Sequence, residues 1–75
     1  MTLDQLSIGH SCIAKKINGE GKLRRRLFDM GITPNTEIYL RKVAPLGYPL
    51  EITIRGYELS LRKSEAAMIE VEEIA

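Results

Sequence analysis

The stretch from Leu50 to Arg62 places the tightest limits on what this chain can become. Leu50, Ile52 and Ile54 alternate with Glu51, Thr53 and Arg55, a two-residue period that puts apolar side chains on one face of a strand and polar ones on the other. Arg55-Gly56-Tyr57 then turns the chain sharply, and Glu58 to Arg62 resumes the alternation with Leu59 and Leu61 directed inward. A β-hairpin with one apolar face is marginal alone in water, so the remaining sequence has to cover it.

Other segments supply that cover. Glu37 to Val43 reads as a strand with Ile38, Leu40 and Lys42 on one face and Tyr39, Arg41 and Val43 on the other. Ser11 to Asn18 suits a half-buried strand, with Ile13 and Ile17 on one side and Ala14 and Lys16 on the other; Met68 to Ile74 forms a last one through Ile69, Val71 and Ile74. Between Lys22 and Met30 the spacing becomes helical, placing Leu23, Leu27 and Met30 on one stripe. Arg25 and Asp29 stand four apart, as in an ion pair on one helix face; Gly31 occupies the place of a left-handed cap, and Pro34 prevents continuation. Ser64 reads as the N-cap of one helical turn before the last strand. Five short strands with one inserted helix predict an all-β, SH3-like small barrel, which leaves fewer free edges than an open sheet.

Seventy-five residues suffice for one domain, 1–75, and a chain this short buries only about 60% of the surface that its unfolded form exposes. Deep clefts are hard to build at this size. No nucleophile with a partnered base and no phosphate-binding loop is present, since Gly19-Glu20-Gly21 lacks the Lys-Ser/Thr and the further glycines. The expectation is a protein that is not an enzyme. Eleven Lys+Arg against ten Asp+Glu give a net charge of +1, so there is no global field for nucleic acid or anionic membrane. Cys12 is the one cysteine, no apolar run approaches about 20 residues, and the first ten lack the pattern of a secretory signal. These features point to a cytoplasmic protein without direct membrane insertion.

Four strings carry a family resemblance: Leu27-x-x-Met30-Gly31-Ile32-x-Pro34, Ala44-Pro45-Leu46-Gly47-x-Pro49, Gly56-Tyr57-x-Leu59-x-Leu61-Arg62, and Glu65-Ala66 before Ile69-x-Val71. Together, from about Leu3 to Val71, they resemble the FeoA family, small proteins of bacterial ferrous iron transport. The resemblance implies an SH3-like accessory that docks on FeoB, a membrane transporter with a GTP-binding domain, and modulates its assembly or GTPase cycle. Similar domains also end metal-dependent repressors behind a helix-turn-helix domain, which is absent from this sequence. Asn35 stands where the family commonly has Gly, and Tyr48 where an Asp often lies. Asn tolerates left-handed geometry, whereas Tyr48 removes a carboxylate from its loop.

The candidate partner contacts are Arg24, Arg25 and Phe28 on the helix, Leu46 and Tyr48 in the Ala44–Pro49 loop, and Tyr57 at the hairpin tip. Arginine beside an aromatic is the composition of an interface hot spot, and loops on small barrels commonly carry binding residues. A bland reading stands beside each: Lys22, Arg24, Arg25 and Arg26 as a solvated helix face, Phe28 packed beneath the N-terminal strand or a loop, Leu46 and Tyr48 tucked inward, Cys12 as a small buried hydrophobe and His10 as a surface loop residue. An arginine finger into the transporter's nucleotide site is a rarer role than plain docking. Nucleic-acid binding by the basic helix is a further alternative, with only four Phe and Tyr residues to support it. His10 and Cys12, two residues apart, are candidate ligands for weakly bound ferrous ion or zinc, but a closed zinc site takes four ligands. No cofactor is otherwise expected, and weak self-association is a lesser partner expectation.

Overall fold

The computed structural model describes residues 1–74. A 3-10 turn at Leu3–Gln5 leads to β1 (Ser11–Ile17), α1 (Gly21–Asp29), β2 (Glu37–Val43), β3 (Leu50–Ile54), β4 (Tyr57–Leu61), α2 (Lys63–Ala66) and β5 (Ile69–Ile74). All pairings are antiparallel and the strand order is β4-β3-β2-β1-β5. Leu61 on one edge strand and Ile69 on the other have no exposed surface, like Ile38 in the middle, and all three belong to one core cluster. A flat sheet would leave its outer strands half open; this one curls over its own apolar face into the expected barrel.

The hairpin forms as its pattern predicts. Leu50, Ile52 and Ile54 are buried, and Ile54 pairs with Tyr57 across a two-residue turn. Arg55 and Gly56 both have positive φ, as the mirror-image turn that matches strand twist requires. Two other strands depart from strict alternation. Between Ala14 and Lys16 the register of β1 against β5 shifts by one residue. Lys15 and Lys16 therefore both face solvent, Cys12 and Ala14 point inward with Ile17, and Ile13 takes the outer face. A second shift between Leu40 and Lys42 of β2 does the same at Arg41: Lys42 turns outward and Val43 packs against the core. An alternating pattern cannot reveal a bulge, because the inserted residue exchanges the faces of everything beyond it.

The helix ends as its sequence requires. Gly31 N–H donates to Phe28 C=O at 2.9 Å and Ile32 N–H to Leu27 C=O at 3.0 Å, the paired bonds of a left-handed cap at Gly31. Leu27 and Ile32 are fully buried, so the cap also drives two apolar side chains into the barrel. Of the predicted stripe only Leu27 is buried; Met30 packs partly against the core, and Leu23 is 49% exposed. Asn35 takes the left-handed conformation, with φ 73°. The short helix begins two residues earlier than predicted, with Arg62 at the cap; Ser64 lies inside it, and Glu65 Oε1 accepts the Arg62 N–H at 2.9 Å. Leu3 and Leu6 near the start of the chain also enter the core, and Met1 C=O accepts the Val71 N–H on the free side of β5.

Gly31 is the tightest point of the fold. Its φ is 95°, and a Cβ built there would lie 2.5 Å from the Tyr57 hydroxyl, which itself donates to Met30 C=O. Gly31→Ala should therefore lower unfolding stability by about 1–3 kcal/mol through left-handed strain, with the steric clash adding to it. Adding Tyr57→Phe to that variant should recover part of the loss, because the clashing oxygen is gone. Denaturant unfolding of the three variants checks this, and strictly additive losses would contradict it.

Candidate protein-docking site

The exposed face of α1 is assembled by its anchors. Leu27 holds the inner side, and Arg26 Nη1 lies 3.5 Å from Oε2 of Glu65, an almost entirely buried carboxyl on α2. Arg24 Nε donates to the Ile17 carbonyl at 3.1 Å, tying the helix to the end of β1. Its guanidinium carbon sits 4.6 Å from the centroid of the Phe28 ring, in cation–π contact. Phe28 is half-buried and packs partly against the core, so the packed reading and the aromatic–arginine pair hold together. Arg24, Arg25 and Phe28, with Gly21 and Asp29, line an open groove of about 380 Å³. The expected Arg25–Asp29 ion pair does not form among the described residues, although both flank this groove.

The other docking candidates lie elsewhere. Leu46 is 79% exposed and Tyr48 53%, on a loop closed by Gly47 N–H to Ala44 C=O at 2.8 Å and Ala44 N–H to Pro49 C=O at 3.2 Å. The closed base leaves both side chains directed outward. Tyr57 keeps an exposed ring, but its hydroxyl is committed to the C-terminal end of α1. This loop enters β3 at Leu50, whereas Tyr57 follows the turn after Ile54; the two therefore stand at opposite ends of β3, about 17 Å of strand apart. The six candidates thus form one basic and aromatic patch on α1, with Tyr57 near its far end, and one apolar loop patch.

His10 and Cys12 are not brought to one surface. Cys12 is fully buried, and its thiol is pushed up from the ordinary 9.0 to about 11, by burial first and then by the charges of Glu73 and Glu37. His10 is exposed, with Nδ1 against Glu73 Oε2. No group of three or more His, Cys, Asp and Glu side chains able to hold a metal ion occurs among the described residues. A buried core thiol and one exposed imidazole do not supply the four convergent ligands of a closed metal site. Asp29 lines the groove instead of pairing with Arg25, and the burial of Glu65 carries no signal in the local sequence.

A family model described as FeoA domain matches residues 1–73. A Porphyromonas gingivalis protein named as a fusion of Fe(2+) transport protein A with the Fe(2+) transporter FeoB is 36% identical over all 75 residues. The present chain spans only 9% of that protein's length. A solved FeoA-like protein from Clostridium acetobutylicum is 44% identical, with TM-score 0.94, covering 100% of this chain and 87% of that one. FeoA from Stenotrophomonas maltophilia, solved in complex with zinc and described as an SH3 domain protein, is 26% identical with TM-score 0.84, covering 96% of this chain and 89% of that one.

The state of Cys12 gives a direct test of its burial. In the folded protein it should resist alkylation at neutral pH and react only when the chain is unfolded. A folded pKa above the unfolded one means that its stabilising contribution is complete below pH 9 and is lost as pH rises toward about 11. Unfolding measured across that range should show the decline in wild type, and less of it in Cys12→Val.

Proposed function

The chain belongs to the FeoA domain family, and from that premise we propose that it is a non-enzymatic cytoplasmic module that docks on a FeoB-type ferrous iron transporter and modulates its assembly or GTPase cycle. The observation that carries this reading is the Porphyromonas gingivalis relative, in which a segment matching this whole chain is joined to a FeoB transporter in one polypeptide. A covalent join holds two modules at high effective concentration, which serves a function when they act on each other. Separate chains need a surface that performs the same task. Leu46 and Tyr48 supply apolar anchors on a closed loop, and Arg24, Arg25 and Phe28 supply the basic and aromatic composition of a hot spot. No helix among the described residues is long and apolar enough to cross a membrane.

The test is an amide NMR titration of the labelled protein with the transporter's purified cytosolic GTP-binding domain, with and without nucleotide. Saturable shifts on α1 and the Ala44–Pro49 loop are expected, and a double Leu46→Ser, Tyr48→Ser variant should bind about tenfold more weakly. GTP hydrolysis by the domain should change when the wild-type protein is added. Absence of both shifts and rate change at saturating concentrations would refute docking at this domain.

A further inference from the structure

Building on the docking reading, we propose that the α1 groove is a polar receptor for a short partner segment, gripping a partner carboxylate between Arg24 and Arg25 and a partner cation at Asp29. The basic end is preorganised. Arg24 spends its Nε on the Ile17 carbonyl and lies over Phe28, so its side chain is already fixed. Its terminal amino groups make no hydrogen bond among the described residues, leaving a planar fork of the shape that binds a carboxylate at two points. Arg25 lines the same groove with no ion-pair partner among the described residues, and so does Asp29. Because Arg24 has given up its freedom before any ligand arrives, little ordering remains for binding to oppose.

Asp29 determines the class of ligand. A nucleotide, a nucleic-acid backbone or an anionic lipid surface would bring negative charge against that carboxylate. A peptide segment with an acidic side chain at one end and a basic one at the other meets complementary charge at both, which also fixes the direction in which it lies. Phe28, which lines the same groove, offers an apolar contact for the rest of the segment.

The probe is an acetylated, amidated Glu-Leu-Ala-Lys peptide, added to the intact labelled protein while the Arg24 and Arg25 Nε–H and Phe28 ring resonances are followed. Saturable shifts are expected, about tenfold weaker binding for the Gln-Leu-Ala-Lys counterpart, and no comparable shifts from inorganic phosphate or GTP. Arg25→Gln should weaken the peptide about tenfold, and Asp29→Asn should let phosphate move the same resonances. Arg24→Lys, which keeps the charge but loses the fork, should also weaken it, with the amide spectrum confirming that the barrel is intact. Equal binding of the Glu and Gln peptides, or phosphate shifts matching those of the peptide, would overturn the proposal. If the transporter domain binds but Arg25→Gln leaves its affinity unchanged, the groove assignment fails and docking stands. If the peptide binds as expected and the domain does not, docking at that domain fails and the groove stands.

Discussion

The Tyr57 hydroxyl reaches the Met30 carbonyl across a position where any side chain would intrude, and the placement of α1 on the barrel follows from that approach. The last carbonyls of a helix have no partner within it, and this one is satisfied by the first residue of β4. The left-handed turn at Gly31 that opens the way also sends Ile32 inward beside Leu27. Arg55 adds to the same junction, its Nη2 donating to Thr33 Oγ1 at 3.0 Å and Thr36 Oγ1 at 3.2 Å. The hairpin turn and the segment after the helix are thereby held as one unit. At the other end of α1, Arg24 on Ile17 completes the fixation.

With the helix held at both ends, the charge balance of the chain acquires a direction. The acids of β5 are largely engaged within the molecule: Glu70 accepts from Asn18 Nδ2 at 2.7 Å, Glu72 lies 3.5 Å from Lys15 Nζ, and Glu73 faces His10. On β2, Arg41 is held between Glu51 and Glu58. The α1 groove is different, since Arg25 and Asp29 remain without such partners among the described residues. Exposed ion pairs contribute little to stability, so leaving these two unpaired costs little and keeps both charges available to a ligand. A net charge of +1 conceals this division entirely.

Much of the fold was legible because local rules carried it. The alternation at Leu50–Ile54, the cap at Gly31 and the left-handed Asn35 each depend on a few neighbouring residues, and the structure follows them. The two bulges were not legible: a shift at Lys15 or Arg41 depends on how a partner strand aligns, and no residue in either strand announces it. No local pattern marks Leu3 and Leu6 as core, yet both are buried in it.

The candidate site divides in the same way. By itself the sequence determined an all-β barrel with one basic helix, a proline-rich loop carrying Leu46 and Tyr48, and membership in a family, because these rest on residue type, period and local motif. Only the tertiary structure decided that Cys12 is a core thiol, that Tyr57 reaches the end of α1 while the loop stands at the far end of β3, and that Arg24 lies fixed over Phe28. The reason is physical: exposure, reach and free hydrogen-bonding capacity are set by what packs against a side chain, and those neighbours are mostly distant in the sequence.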